Sequence, residues 1–247
     1  MVRDRILLAA VILLLWGALT HSGLVSPLFL PTPWDALRAL LRGIADGSVL
    51  ADVTSTLFRV VVGFLLGTVL GVVVGALLGS WRRMNRAIEP FVDFLRSVPV
   101  TALLPLFLLF FGLGSTAKIA AIAWASGLVM LINTILGVAS VPPTRLMLAK
   151  TLRARPVQRL FRVVLPDALP QIFIGLRTAI SFAVVVGVVS EMLLSTDAGL
   201  GAMIYNASMM YQTERVYVGI FLAGGLGYIL NLATAALDKY VVHWRAT

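Results

Sequence analysis

Apolar residues run through this chain in blocks broken by short polar stretches. A helix needs about 20 apolar residues to cross roughly 30 Å of hydrocarbon, so the blocks predict about six spans. They lie near Ile6–Gly23, Val53–Gly79, Phe91–Leu113, Ala117–Val138, Ile172–Leu194 and Val216–Val241. Leu19-Thr-His-Ser-Gly23 offers no convincing small-residue cleavage site, so the first block is expected to stay as a helix. The pattern changes between the fourth and fifth blocks. From Pro143 to Pro166 the cations Arg145, Lys150, Arg153, Arg155, Arg159 and Arg162 occur with no acid until Asp167. Leu146, Leu148, Ala149, Leu152, Leu160, Phe161 and Val164 recur there at roughly helical spacing, which predicts short amphipathic helices at a membrane surface. The expected fold is all-α, one polytopic domain over 1–247. Residues 1–51 hold the first span and an outer segment, 52–241 the core spans, and 143–167 the basic loop.

Composition sharpens this picture. The chain has 247 residues, 60% hydrophobic and 13% charged, with a mean hydropathy of +0.98. Too little polar surface remains for a soluble domain of this size. The net charge of +9 sits in short connections between spans, where it reports topology rather than nucleic-acid binding. Arg3 and Arg5, then Arg82, Arg83 and Arg86, then the 143–167 loop, then Lys239 and Arg245 all fall on one side of a six-span topology. The other connections balance cations with acids: Arg38 and Arg42 against Asp35, Asp46 and Asp52, and Arg215 against Asp197 and Glu214. The positive-inside rule therefore predicts both termini and the basic loop in the cytoplasm. Cysteine is absent and histidine occurs only at His21 and His243, so no metal site is expected.

Within the spans a few residues stand out. Gly63, Gly67, Gly71, Gly75 and Gly79 recur every four residues, a face that lets another helix backbone approach closely. Packing inside the bundle is favoured over a subunit interface. Pro90, Pro99 and Pro105 break the third span, and Asp93 and Arg96 are spaced to pair near its cytoplasmic boundary. Arg59, Asn133, Arg177, Ser181 and Glu191 are the deeper polar groups. Snorkelling to the interface is open to Arg59 and Arg177, and Glu191 either gates a pathway or caps the loop after span five. Gly112-Leu-Gly-Ser-Thr-Ala-Lys118 has a phosphate-loop composition but not its spacing.

Separated stretches, taken in order, resemble one family. Phe94-Leu-Arg-Ser-Val-Pro-Val-Thr-Ala-Leu-Leu-Pro-Leu-Phe-Leu-Leu-Phe-Phe-Gly-Leu-Gly114 looks like the third span of permease subunits of bacterial ABC importers, of the sulfonate, taurine and nitrate type. These belong to the binding-protein-dependent transport inner-membrane family. Phe161-Arg-Val-Val-Leu-Pro-Asp-Ala-Leu-Pro-Gln-Ile-Phe-Ile-Gly-Leu-Arg177 looks like the end of its cytoplasmic motif and the next span. Glu191-Met-Leu-Leu with Gly199-Leu-Gly201 looks like its following outer loop. The likeness runs from about Asp52 to the C-terminus.

The resemblance implies a non-catalytic permease in the bacterial inner membrane. It implies a homodimer, two ATPase subunits, an extracytoplasmic substrate-binding protein and no nucleic-acid partner. ATP and Mg would sit on the partner ATPase, with no cofactor on this chain. The cytoplasmic motif, the EAA loop, would supply a coupling helix through Met147, Leu148, Ala149, Lys150, Leu152, Arg153, Arg155, Arg159, Leu165 and Pro166. Arg96, Ser97, Pro99, Asn133, Arg177, Ser181 and Glu191 are candidates for the pathway or its gate. Small anions such as sulfonate, taurine or nitrate, or a vitamin precursor, are the implied cargo.

Two positions depart from the motif. Met147-Leu148-Ala149 stands at Glu-Ala-Ala, and Arg153 replaces the glycine. If that glycine serves a turn with positive φ, arginine strains it. The expectation is a reshaped turn, restarted at Pro156 and matched by a specialised ATPase. The competing reading is an ATP-independent secondary transporter or channel, which would call for stronger intramembrane ion or proton chemistry.

Overall fold

The computed structural model describes residues 2–26, 28–194 and 198–242. Ser195, Thr196, Asp197, His243 and Arg245 lie outside them, as do the side chains of Arg3, Arg5, Arg82 and Arg83. Every regular element among the described residues is helical. In chain order these are α1 (Val2–His21), α2 (Pro33–Ala45), α3 (Ser48–Ser80), α4 (Arg82–Ser97), α5 (Leu104–Phe111) and α6 (Ser115–Ala139). They continue as α7 (Pro143–Thr151), α8 (Pro156–Arg159), α9 (Leu165–Leu193), α10 (Leu200–Met209) and α11 (Thr213–Val241). Among the described residues four helical stretches are, each by itself, long and apolar enough to cross a membrane: Ser48–Ser80, Ser115–Ala139, Pro156–Leu193 and Thr213–Val241. They coincide with expected spans two, four, five and six. The first span lies almost wholly within α1, helical over 20 residues.

The third span is broken, as its prolines predict: over Phe91–Leu113, α4 and the stretch from Val100 through α5 meet at 84°. The break falls at Val98-Pro99, where Val98 is extended at φ −79, ψ 119, the conformation that a following proline favours. α4 carries Arg86, Glu89, Asp93 and Arg96 in its sequence, and the Asp93–Arg96 pair is exposed at 3.2 Å. Together the two halves are long and apolar enough to make one bent span.

α3 and α6 form the centre and run parallel. A Cβ built on Gly63 would lie 2.7 Å from Ile122, on Gly67 2.3 Å from the Ala123 carbonyl, and on Gly71 2.5 Å from the Gly127 carbonyl. On Gly75 it would lie 2.8 Å from the Leu131 carbonyl, and on Gly79 2.9 Å from Val138. Each step of four along α3 meets a step of four along α6. The glycine face is thus filled from within the chain, by backbone contact that any side chain would prevent. α9 runs antiparallel to α6 and also meets α3, with Gly137 against Ala168, Gly175 against Asn133 and Gly187 against Val60 and Ile122.

Two further helices were not anticipated. α2 has a Pro at its first turn and is capped by Thr32, whose hydroxyl accepts from the Asp35 N–H at 3.1 Å. Asp46 then accepts from the Ser48 N–H at 2.9 Å, and hydrogen bonds from Ser48 hold its carboxyl below the usual carboxylate range. α10 tucks Ala202, Met203, Ile204 and Ala207 into the bundle. Met203 meets Val49 of α3 and Val218 of α11 in a small cluster at this end. The 143–167 segment lies at the opposite end.

Candidate functional site

The basic segment is built from two unlike faces. Leu146 and Leu160 pack on the core, and Ala149 and Val164 are buried. Met147, Leu148, Leu152, Val157 and Phe161 point outward, each more than 60% exposed. The single apolar stripe expected from the sequence is therefore two sets, one seating the segment on its own bundle and one left uncovered. Lys150, Arg153 and Arg155 are exposed beside the outer set, with Arg159 half-buried. Arg145 forms an ion pair with Asp167, which ties α7 to the start of α9.

Arg153 takes φ 52, in the left-handed region. The Ala154 N–H donates to the Ala149 carbonyl at 3.0 Å, and the Arg153 N–H to the Lys150 carbonyl at 2.9 Å. This is a Schellman ending, with arginine at the position that favours glycine. The expected reshaped turn is corrected: the left-handed bend is present and arginine bears its strain. Pro156 restarts the helix at its first turn, as expected, and the Arg155 N–H donates to Gln158 Oε1 at 3.0 Å.

A π-helical turn over Leu160–Val164 then joins α8 to α9. The Leu165 N–H reaches back five residues to the Leu160 carbonyl, one residue before Pro166, which has no N–H to offer. Leu165 and Pro166 thereby continue the helix from the segment into span five without a break.

The far end carries a buried polar network. The Arg59 guanidinium pairs with Glu191 at 2.8 Å, both side chains nearly sealed from solvent. Arg59 also donates through Nε to Ser115 Oγ at 3.0 Å and through Nη1 to the Ala198 carbonyl at 2.8 Å. Glu191 accepts from the Thr56 hydroxyl at 2.8 Å and the Gly201 N–H at 3.0 Å. Asp52 accepts from the Gly199 N–H and Thr56 from the Leu200 N–H, each at 2.8 Å. Three span helices thus hold the start of α10. Arg59 is a buried partner and does not snorkel. A cleft of about 380 Å³ opens alongside, with Asp52, Asn206, Gln212 and Arg215 in its lining.

The pathway candidates do not converge within one chain. Arg96, Ser97 and Pro99 sit exposed at the α4–α5 break. Asn133 accepts from Gln171 at 3.1 Å between α6 and α9. Arg177 and Ser181 lie exposed on α9, where Ser181 accepts from Asn231 of α11 at 3.1 Å. Glu191 is locked in the distant network. Sequence reasoning missed Thr56, Ser115 and Asn231, for which single polar residues in apolar helices gave no pairing signal. Arg59 was visible, but its partner lies 132 positions away. An apolar groove of about 390 Å³ lies between α3, α5 and α6, with Phe107, Phe111, Trp124 and Leu128 in its lining. Among the described residues no cluster of His, Asp or Glu is placed to hold a metal.

Residues 49–243 match the family described as binding-protein-dependent transport system inner membrane component. The taurine transport system permease protein TauC of Escherichia coli is 32% identical over 95% of this chain and 87% of its own length. The bicarbonate transport system permease protein CmpB of Synechocystis is 31% identical over 93% of this chain and 85% of its own. Among solved structures, a chain of the inward-facing MetNI methionine ABC transporter superposes with a TM-score of 0.72. It is 20% identical, and the match covers 80% of this chain and 97% of that one.

Proposed function

Because this chain belongs to the family of binding-protein-dependent transport system inner membrane components, we propose how it works as the transmembrane permease subunit of an ATP-driven ABC importer. It is a multi-pass membrane protein, and as a family member it works with an ATPase and a substrate-binding protein. In the finer reading two copies form the pathway and two ATPase subunits attach at the 143–167 segment. ATP and Mg belong to those subunits, and this chain catalyses no reaction. The segment and both termini face the cytoplasm of a bacterial inner membrane. The cargo is a small solute bearing an anionic group, in keeping with the taurine and bicarbonate named for two relatives. Arg177, Ser181 and Asn231 line the pathway between the two copies. An ATP-independent transporter or channel gains nothing from the site: its ionisable pair is sealed and structural.

One observation carries the coupling assignment, the uncovered apolar face of Met147, Leu148, Leu152, Val157 and Phe161 at the foot of a continuous helix into the membrane. Exposed apolar clusters of this kind mark protein interfaces. ATP-driven closure of the ATPase pair would move this helix as a rigid body. The test is co-purification with the ATPase subunit. Leu148→Asp with Phe161→Asp removes two apolar anchors and is expected to cut recovery by more than about tenfold, the effect of losing one. Unchanged recovery would overturn the assignment.

A further inference from the structure

α2 has three faces rather than two. Ala36 and Gly43 are buried, with Ala39 and Leu40 beside them, against α3 and α11. On a second face Trp34, Leu37, Leu41 and Ile44 are 41–56% exposed, an apolar row at helical spacing. Arg38 and Arg42 project from the third, one turn apart and next to the apolar row. The Arg38 guanidinium lies 5.2 Å over the Trp34 ring. Asp35 is engaged by Thr32, whose hydroxyl donates to it at 2.6 Å. Among the described residues neither arginine forms an ion pair.

The height of α2 relative to the membrane follows from its neighbours. It ends two residues before α3 begins, so it lies at the end of the bundle away from the 143–167 segment. Its 13 residues span about 20 Å and cannot cross the hydrocarbon. Beside it Trp16 of α1 meets Tyr217 at 5.9 Å and Phe221 at 5.6 Å. Trp16 Nε1 donates to the Pro31 carbonyl at 3.0 Å, and the Tyr217 hydroxyl to Phe29 at 3.3 Å. Aromatic rings with one polar tip engaged mark the boundary between hydrocarbon and water.

We propose that α2 lies in the headgroup layer of the membrane face opposite the 143–167 segment, with Trp34, Leu37, Leu41 and Ile44 in the acyl boundary and Arg38 and Arg42 holding the phosphate of an anionic phospholipid. The charge and the adjoining apolar row suit a lipid, which presents a phosphate directly above its chains. A soluble protein would leave the row half in hydrocarbon. The inference needs only that the chain is a membrane protein and is independent of its cargo and coupling.

The chain has no cysteine, so Leu41→Cys and Arg42→Cys each give a single labelling site. Nitroxides there, in the full chain in phosphatidylcholine–phosphatidylglycerol vesicles, are read by collision with oxygen and with a water-soluble nickel chelate. The label at 41 is expected to favour oxygen and the label at 42 the chelate. Native mass spectrometry from mixed-lipid nanodiscs is then expected to show retained phosphatidylglycerol falling about tenfold in Arg38→Gln/Arg42→Gln and persisting in Arg38→Lys/Arg42→Lys. A chelate-accessible label at 41, or equal lipid retention in the Gln variant, overturns the proposal. So does shielding of 41 from both reagents when the substrate-binding protein is added, which would make the face a protein interface. Should the Gln variant fail to fold, the labels decide alone.

Discussion

At the residue scale the contrast lies between a buried ion pair and an exposed strained turn. Arg59 and Glu191 satisfy each other where neither can reach water, and the surrounding donors leave few lone pairs idle. Removing one charge strands the other, at a cost of about 3–5 kcal/mol. Glu191→Gln, nearly equal in volume, is therefore expected to lower the thermal midpoint of the detergent-purified chain sharply. Arg59→Met with Glu191→Leu should lower it less, because no charge is left alone. If the double variant melts below Glu191→Gln, the pair is not what stabilises this end. Arg153 gives the opposite sign. At φ 52 a side chain costs roughly 1 kcal/mol that glycine does not pay, so Arg153→Gly should slow hydrogen exchange at Leu152–Ala154. The strain at Arg153 was legible from the motif, which asks for glycine there. The Arg59–Glu191 partnership was not: a pairing across 132 positions is fixed by how three helices cross, and periodicity carries no trace of it.

At the element scale the α3 glycines decide how close two helices come. At Gly67 the missing Cβ is replaced by the Ala123 carbonyl and the Ser126 hydroxyl, so Gly67→Ala must push α6 away along much of its length. Overpacking of this kind costs about 1–3 kcal/mol. Gly224 of α11, by contrast, has no atom within 4 Å of a built Cβ, and Gly224→Ala should leave the fold of the single chain unharmed. Fluorescence size-exclusion after heating separates the two, with Gly67→Ala losing its folded peak at a lower temperature. Equal profiles would mean that the α3–α6 approach is not tight. A spacing of four showed which face of α3 packs, while the partner and its parallel direction needed the fold. α2 and α10 escaped the sequence reading because each is too short for a span and lies in a stretch broken by Gly, Pro and polar residues. The break in the third span was legible at Pro99, but the 84° between its two halves was not, because proline spacing marks where a helix ends and not the direction in which the next one leaves.

At the scale of the whole molecule, one helical path connects the uncovered apolar face to the buried network. From Pro156 to Leu193 the backbone stays helical for 38 residues, about 57 Å at the rise of an α-helix. The π-turn leads into Pro166, and Pro170 is carried inside α9 itself. Displacement of Phe161 at one end should therefore reach Glu191, and through it Ala198–Gly201, without a hinge between. Hydrogen exchange on the assembled transporter measures this directly. Binding of a non-hydrolysable ATP analogue is expected to change protection at Met147–Leu152 and at Ala198–Gly201 together. Leu148→Asp with Phe161→Asp should abolish both responses. Glu191→Gln should keep the first and lose the second, because the far network no longer grips the start of α10. A response confined to Met147–Leu152 in the unaltered protein would show that α9 bends rather than transmits. Coupling would then have to travel through another helix, such as α6, which runs from Ser115 beside Arg59 to Ala139 just before α7.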